Sequence, residues 1–252
     1  MGFPRPADAR PFAIAEASTL SFGCIPDLLN PTVIPPERLA SMQAGWVQLL
    51  ARLSVAPADA YPVFDRLVAA YSELHRSYHT LEHLSEMFKV AGKLSDLADD
   101  DAAVQLAIWF HDAIYDPRAT DNEERSAALA MSQLLPLGLP PETLQHVAAM
   151  IRATAHTSTP KVDADTAVLL DADLAILSAE VRRYARYAAD IRREYAWVDE
   201  ANYRSGRTEV LEGFLNRPRI YRTEWMHAVA EEPARRNLQT EITALKTPDE
   251  RP

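Results

Sequence analysis

The sequence contains a single cysteine, Cys24, among its 252 residues. An intramolecular disulfide and a cysteine-based zinc cluster are therefore excluded, and any bound metal must rest on nitrogen and oxygen ligands.

The chain also lacks an apolar run close to the roughly 20 residues that a bilayer-spanning helix needs. It shows no charged-then-apolar secretory pattern at its N-terminus. These absences predict a cytoplasmic protein with no membrane partner.

Glycine is scarce as well, with seven residues in the chain. No segment alternates polar and apolar side chains as a strand does, whereas apolar residues recur at helical spacing, so we expect an all-α protein.

Seven of the 18 prolines fall within the first 36 residues. This bias predicts an irregular or partly disordered segment over residues 1–34, followed by one helical-bundle domain over residues 35–252. The domain should contain ten helices, which begin near residues 36, 58, 78, 101, 121, 141, 163, 180, 200 and 223.

Acidic side chains outnumber basic ones by 36 to 26, which gives a net charge of -10. This balance argues against sequence-independent binding to a nucleic acid polymer or to an anionic membrane. The overall composition, 48% hydrophobic and 25% charged, is ordinary for a soluble globular protein. Local basic pockets remain possible, and the oligomeric state stays open.

An apolar helical run over residues 104–110 ends in the adjacent pair His111 and Asp112. Helical steps back from His111 reach Ile108 and Val104, so the imidazole continues a stripe that should face the core. A buried aspartate is unfavourable unless it is hydrogen-bonded, paired or bound to a cation, and imidazole binds the same cations. A metal site is one interpretation. The other is a core histidine bonded to a backbone carbonyl, with Asp112 capping the following turn.

Two further segments carry related side chains. His79 and His83 are four residues apart, which predicts that they share one helical face. Asp171 and Asp173 lie in an apolar helix near residues 169–177. Because that helix is apolar nearly all round, periodicity alone does not show which of the two carboxylates faces the interior.

Together these segments resemble the HD superfamily of metal-dependent phosphohydrolases, whose signature is a histidine, an adjacent His-Asp pair and a distant aspartate on successive helices of one bundle. The resemblance covers most of residues 37–245. It implies that a metal is held by His83, His111, Asp112 and Asp173. The Tyr-His-x3-His segment over residues 78–83 is also similar to that of cyclic-nucleotide phosphodiesterases, which implies that His79 is a general acid. Residues 151–157 and 203–207 resemble a bacterial subgroup described as predicted metal-dependent HD phosphohydrolases.

The resemblance implies further site residues, each with a simpler alternative. His156 lies where HD proteins with two metals place an additional ligand, although it could instead cap a helix end. Glu123 and Glu124 lie where some HD enzymes position the attacking water, although first-turn acids also complement a helix dipole. Arg76 and Arg207 are candidates for contacting a phosphate, since one lies beside His79 and the other is expected in a glycine-containing turn.

The expected activity is therefore hydrolysis of a phosphate ester, on a nucleotide or another small phosphorylated metabolite, by metal-activated water. Mixed nitrogen and oxygen ligands favour a divalent Mn, Fe, Co, Ni or Zn ion over Mg, with one or two ions bound. Two alternatives stay open. The chain could be an HD-type di-iron oxygenase, or a non-catalytic HD module that binds a nucleotide or a partner protein.

Overall fold

The computed structural model describes residues 34–156 and 161–247. Within these ranges the chain forms ten α-helices and no strand, so the all-α prediction is confirmed. The helices are α1 (Pro36–Arg52), α2 (Pro57–Tyr71), α3 (Leu81–Leu94), α4 (Asp101–Phe110), α5 (Asn122–Leu134), α6 (Pro141–Ala153), α7 (Ala164–Leu174), α8 (Val181–Glu194), α9 (Glu200–Leu215) and α10 (Glu224–Lys246). Short 3₁₀ turns extend α3, α5 and α7. The predicted irregular N-terminal segment lies outside the described residues, apart from Ile34.

Helix α4 is the central element of the bundle. It packs against α3, α5, α6 and α7, and eight of its ten residues are buried. Because neighbouring helices cover α4 on most sides, its sequence is apolar nearly all round. Its C-terminal end therefore delivers the next residue, His111, into the protein interior, where it is 1% exposed.

The start of α3 differs from the prediction. The sequence predicts a helix from Tyr78, but α3 begins at Leu81 because the Thr80 side chain accepts a hydrogen bond from the Glu82 backbone N–H and caps the helix. His79 therefore precedes the helix, and the expectation that it shares a helical face with His83 is wrong. The two imidazole rings still lie near each other, with centroids 6.0 Å apart.

Aromatic side chains connect α4 to the first two helices. Trp46 of α1 is fully buried, and its ring meets that of Trp109 edge to face at a centroid distance of 5.5 Å. The Trp46 indole N–H also donates a hydrogen bond of 2.8 Å to the carbonyl of Ala60 in α2. One side chain thus holds three helices together.

No helix in the described ranges combines the length and the apolar content that crossing a bilayer requires.

Replacement of Trp46 by Ala should lower the free energy of unfolding by about 3–5 kcal/mol, because it leaves a cavity and removes the hydrogen bond to the Ala60 carbonyl. Trp225 offers a matched control, since its side chain is 44% exposed and its replacement by Ala should change stability by no more than about 1 kcal/mol. Urea denaturation monitored by circular dichroism measures both values. Equal effects of the two substitutions would contradict this account of the core.

Candidate metal centre

Two imidazoles and one carboxylate converge in the interior of the bundle. Their ligand atoms, from His83, His111 and Asp173, all lie within 4.8 Å of one another. His83 Nε2 is 3.3 Å from His111 Nε2 and 3.3 Å from Asp173 Oδ1, and His111 Nε2 is 3.9 Å from Asp173 Oδ1. The three residues come from α3, the end of α4 and α7. This group could hold a metal ion.

The second ring nitrogen of His111 has a protein partner. His111 Nδ1 lies 2.9 Å from the carbonyl oxygen of Ile108, one helical turn earlier. A carbonyl oxygen only accepts, so Nδ1 carries the proton and Nε2 is the atom directed at the cluster. A backbone partner of this kind fixes the ring orientation that a metal ligand needs.

Asp112 borders the same imidazole. Its Oδ2 lies 3.0 Å from His111 Nε2 and 3.9 Å from His79 Nε2. Burial alone would lower the pKa of His111, but the adjacent Asp112 carboxylate outweighs burial and raises this pKa to about 9. Burial in turn would raise the pKa of Asp112, and its imidazole neighbours, His111 foremost, hold that pKa well below its usual range. A cation that binds His111 Nε2 therefore displaces a proton.

Asp173 connects two histidines through different oxygens. Its Oδ1 faces His83, and its Oδ2 lies 2.7 Å from His156 Nε2. Burial would raise the pKa of Asp173, but the hydrogen bonds with His156 and His83 hold it well below its usual range. The His156 ring therefore contacts the cluster and does not cap α6. Its backbone has a positive φ of 52°, and Arg217 donates a hydrogen bond to its carbonyl.

The structure also separates the two aspartates of α7. The Asp171 side chain is fully buried and points away from the cluster, where it accepts hydrogen bonds from the Arg222 N–H, the Thr223 N–H and the Thr223 hydroxyl. These bonds fix the segment that enters α10. Asp171 is thus structural, whereas Asp173 faces the histidines.

His79 is held by a carboxylate that was not predicted from the sequence. Its Nδ1 lies 2.6 Å from Glu194 Oε2. The other oxygen of Glu194 accepts hydrogen bonds from the backbone N–H groups of Ser77, Tyr78 and His79, and the Tyr115 hydroxyl donates to Oε2. Burial would raise the pKa of Glu194, but the charge and hydrogen bonds of His79 and the neighbouring backbone bring it down to about 2.

A signal for Glu194 is present in α8. Tyr184, Tyr187, Ile191 and Glu194 follow the helical spacing of one face, and all four are buried. A carboxylate that continues an apolar stripe is as informative as the His-Asp pair at the end of α4. The surrounding arginines of α8 obscure this pattern.

Arg76 lies beneath the site. Its side chain is fully buried, and the guanidinium donates hydrogen bonds to the carbonyls of His79, Asp112 and Ala113 and to the Glu73 carboxylate. It does not line the cavity beside the cluster. In this structure Arg76 positions the backbone of His79 and Asp112, which does not match its expected contact with a phosphate.

A cavity of about 70 Å³ opens beside the cluster. Its wall includes His79, His111, Asp112, His156, Asp173, Glu123, Arg207 and Tyr78. The structure thus brings Glu123 and Arg207 to the site. Glu124 instead forms an ion pair with Arg152 at 2.6 Å, with 62% of its side chain exposed, and it does not line the cavity.

Two residues of the cavity wall carry hydrogen-bond donors. Arg207 is buried, its guanidinium bonds to Glu241 at 2.8 Å, and the same group lies over the Tyr187 ring. The buried Tyr78 hydroxyl has no hydrogen-bond partner among the described residues. The cavity therefore combines a cluster of ligating groups with one cation and one unpaired hydroxyl.

Comparisons of the chain with models of known protein families, with curated proteins and with solved structures found no match. The resemblance to the HD superfamily stays a prediction that rests on the residues themselves.

Exchange of either aspartate of α7 for Asn should have opposite consequences. Asp173→Asn removes a charged ligand atom, so the affinity for Mn²⁺ should fall by at least about tenfold. Asp171→Asn should lower the free energy of unfolding by about 2 kcal/mol and leave Mn²⁺ binding intact. Calorimetric titration with Mn²⁺ and urea denaturation measure the two properties. Wild-type Mn²⁺ affinity in Asp173→Asn would refute the metal centre.

The contribution of Glu194 to stability should depend on pH. Its pKa is lowered to about 2 from an ordinary value of 4.5, so its stabilising effect is complete above about pH 5 and is lost as the pH falls towards 2. The stability difference between the wild type and Glu194→Gln should therefore shrink over that window. Glu232→Gln, with a side chain 75% exposed, should change stability by less than about 0.5 kcal/mol throughout. Urea denaturation between pH 2.5 and pH 7 tests this, and a constant difference for Glu194→Gln would contradict it.

Proposed function

We propose that this chain is a metal-dependent phosphohydrolase that acts on a small phosphorylated compound. One observation carries the proposal. The ligand atoms of His83, His111 and Asp173 converge within 4.8 Å, and His79, backed by Glu194, lies across the same cavity. A metal centre and a positioned acid are the two groups that hydrolysis of a phosphate ester needs.

The donor set favours a transition metal. Two imidazole nitrogens and a carboxylate oxygen suit Mn, Fe, Co, Ni or Zn, whereas Mg prefers a shell of oxygen ligands. Asp112, 3.0 Å from His111 Nε2, adds a carboxylate next to this set. A bound divalent ion supplies Lewis acidity, which lowers the pKa of a water molecule and offsets the charge of a phosphoryl group.

His79 has the arrangement of a general acid. Its Nδ1 carries a proton towards Glu194, so a second proton on the imidazolium resides at Nε2, the nitrogen on the side of Asp112. The Glu194 carboxylate stabilises that imidazolium. As water adds to phosphorus and the bond to the leaving oxygen breaks, His79 donates the Nε2 proton to that oxygen. The added water gives up one proton, which restores the imidazolium of His79 for the next cycle.

Other cavity residues fit the charge and size of a phosphoryl group. Arg207, ion-paired with Glu241, adds a guanidinium to the wall, and the Tyr78 hydroxyl has no partner among the described residues. Glu123, on the same wall, is placed to orient a water molecule. The cavity of about 70 Å³ admits a phosphoryl-sized group, and the net charge of -10 disfavours a nucleic acid polymer as substrate.

One contact favours a second candidate function. Asp173 presents one oxygen to His83 and the other to His156, at 2.7 Å. In the di-iron oxygenase alternative, His156 and Asp173 would help to hold the second iron. Metal analysis separates the candidates: about two irons per chain favours the oxygenase, and about one Mn, Co, Ni or Zn favours the hydrolase.

Two substitutions should distinguish loss of the bound metal from loss of the general acid. Asp112→Ala should weaken Mn²⁺ binding and abolish turnover. His79→Gln should keep Mn²⁺ binding and lower kcat by about 10²- to 10⁴-fold. The assay is release of inorganic phosphate or a phosphorylated product from a panel of small phosphate esters, with bound metal measured by mass spectrometry.

His227→Gln is a matched histidine control, because His227 lies on α10 and does not line the cavity. It should keep wild-type turnover. Full turnover in Asp112→Ala would disprove the proposal, and so would a wild type that binds metal but hydrolyses no ester in the panel.

A further inference from the structure

A second cavity, which we call the α1–α3 groove, lies between α1 and α3 over one face of α4. Its volume is about 410 Å³, inside the range of roughly 300–1,000 Å³ that small-molecule pockets occupy. No residue lines both this groove and the cavity of the metal centre. The groove is therefore a separate feature of the fold, and a ligand bound there would not depend on the proposed hydrolase activity.

The floor of the α1–α3 groove is apolar. Trp46 and Trp109 lie beneath its base and are 0% and 2% exposed, so the accessible apolar surface comes from Met42 and Phe88, both partly buried. Aromatic and thioether side chains of this kind accept flat or flexible apolar groups. Covering such a surface with an apolar ligand removes it from water, which favours binding.

Glycines from the two facing helices keep the groove open. Gly45 of α1 and Gly92 of α3 both line it, and a Cβ atom added at either position would meet nothing within 4 Å. Helix interiors disfavour glycine by roughly 1 kcal/mol relative to alanine. Neither glycine is required by a tight contact within the described chain, so the space above them is available to a ligand.

Of the charged side chains that line the groove, the acidic one has an ion-pair partner and the two basic ones have none among the described residues. Asp101 bonds to Arg52 at 3.2 Å and to Gln105 at 2.7 Å, so its charge is offset within the protein. Arg38 and Lys89 also line the groove, and neither forms an ion pair with any other described residue. Two unpaired cations beside an apolar floor, in a chain of net charge -10, give the groove a local charge opposite to that of the whole chain.

We propose that the α1–α3 groove binds an amphipathic organic anion, with its apolar body on Met42 and Phe88 and its anionic group at Arg38 and Lys89. The volume favours a small molecule, and the two cations select an anion over a neutral ligand of the same shape. A peptide segment or a second copy of the chain would cover the groove without requiring both cations.

The test uses the full-length protein and two fluorescent probes of matched shape. 1-Anilinonaphthalene-8-sulfonate carries an aromatic body and a sulfonate, and N-phenyl-1-naphthylamine is the same body without the charge. The sulfonate probe should bind saturably at one site per chain. Arg38→Gln combined with Lys89→Gln should weaken its binding about tenfold and change binding of the neutral probe by less than twofold.

Filling the groove gives an independent variant. Gly92→Leu places a side chain in the open space and should weaken both probes at least tenfold. Gly213→Leu is the matched control, because Gly213 is also an exposed helical glycine whose added Cβ meets nothing within 4 Å, but it lies on α9 outside the groove. It should keep wild-type affinity, and circular dichroism checks that both leucine variants are folded.

Three results would overturn the proposal. The first is no saturable binding of the sulfonate probe to the wild type, which would mean that another occupant covers the groove. The second is equal binding by Gly92→Leu and Gly213→Leu, which would place the probe elsewhere. The third is equal loss of both probes in the double glutamine variant, which would show that the cations do not select an anion.

Discussion

The candidate site depends on mutual neutralisation of ionisable side chains inside an apolar bundle. An unpaired carboxylate or imidazolium in such a core is strongly disfavoured. Here Asp112 faces His111, Asp173 faces His83 and His156, and Glu194 faces His79. No member of the cluster is stable there without its partner. The helices that supply the partners must therefore be in place together, which makes the site a property of the whole bundle.

Two buried side chains connect this cluster to the backbone over long sequence separations. Arg76 ties the carbonyl of Asp112, 36 residues away, to the segment that carries His79. Glu194 holds the N–H groups of that same segment from more than 110 residues further along the chain. Removal of either side chain leaves backbone groups buried without partners, which is more disruptive than loss of a surface ion pair. We therefore regard both as positioning residues.

The fold is more predictable from the sequence than the site. Ten helices follow from apolar periodicity and scarce glycine, because helix burial is a local pattern. His111 and Asp112 are identifiable because they end such a pattern. The choice between Asp171 and Asp173 is not decidable locally, since α7 is buried nearly all round and its partners come from distant helices. Glu194 escapes sequence analysis for a different reason: the arginines of α8 obscure the buried stripe that it continues, and its contact with His79 is visible only in the tertiary structure.

The same contacts bear on how a cation would bind. His111 Nδ1 is fixed by the Ile108 carbonyl and His79 Nδ1 by Glu194, so the rings already point inward without a metal. The chain then loses little conformational entropy when a cation enters. Protonation of His111 competes with cation binding, because the pKa of this residue is raised to about 9. The proton on Nε2 must leave before a cation binds there. Affinity for a cation should therefore increase as the pH rises.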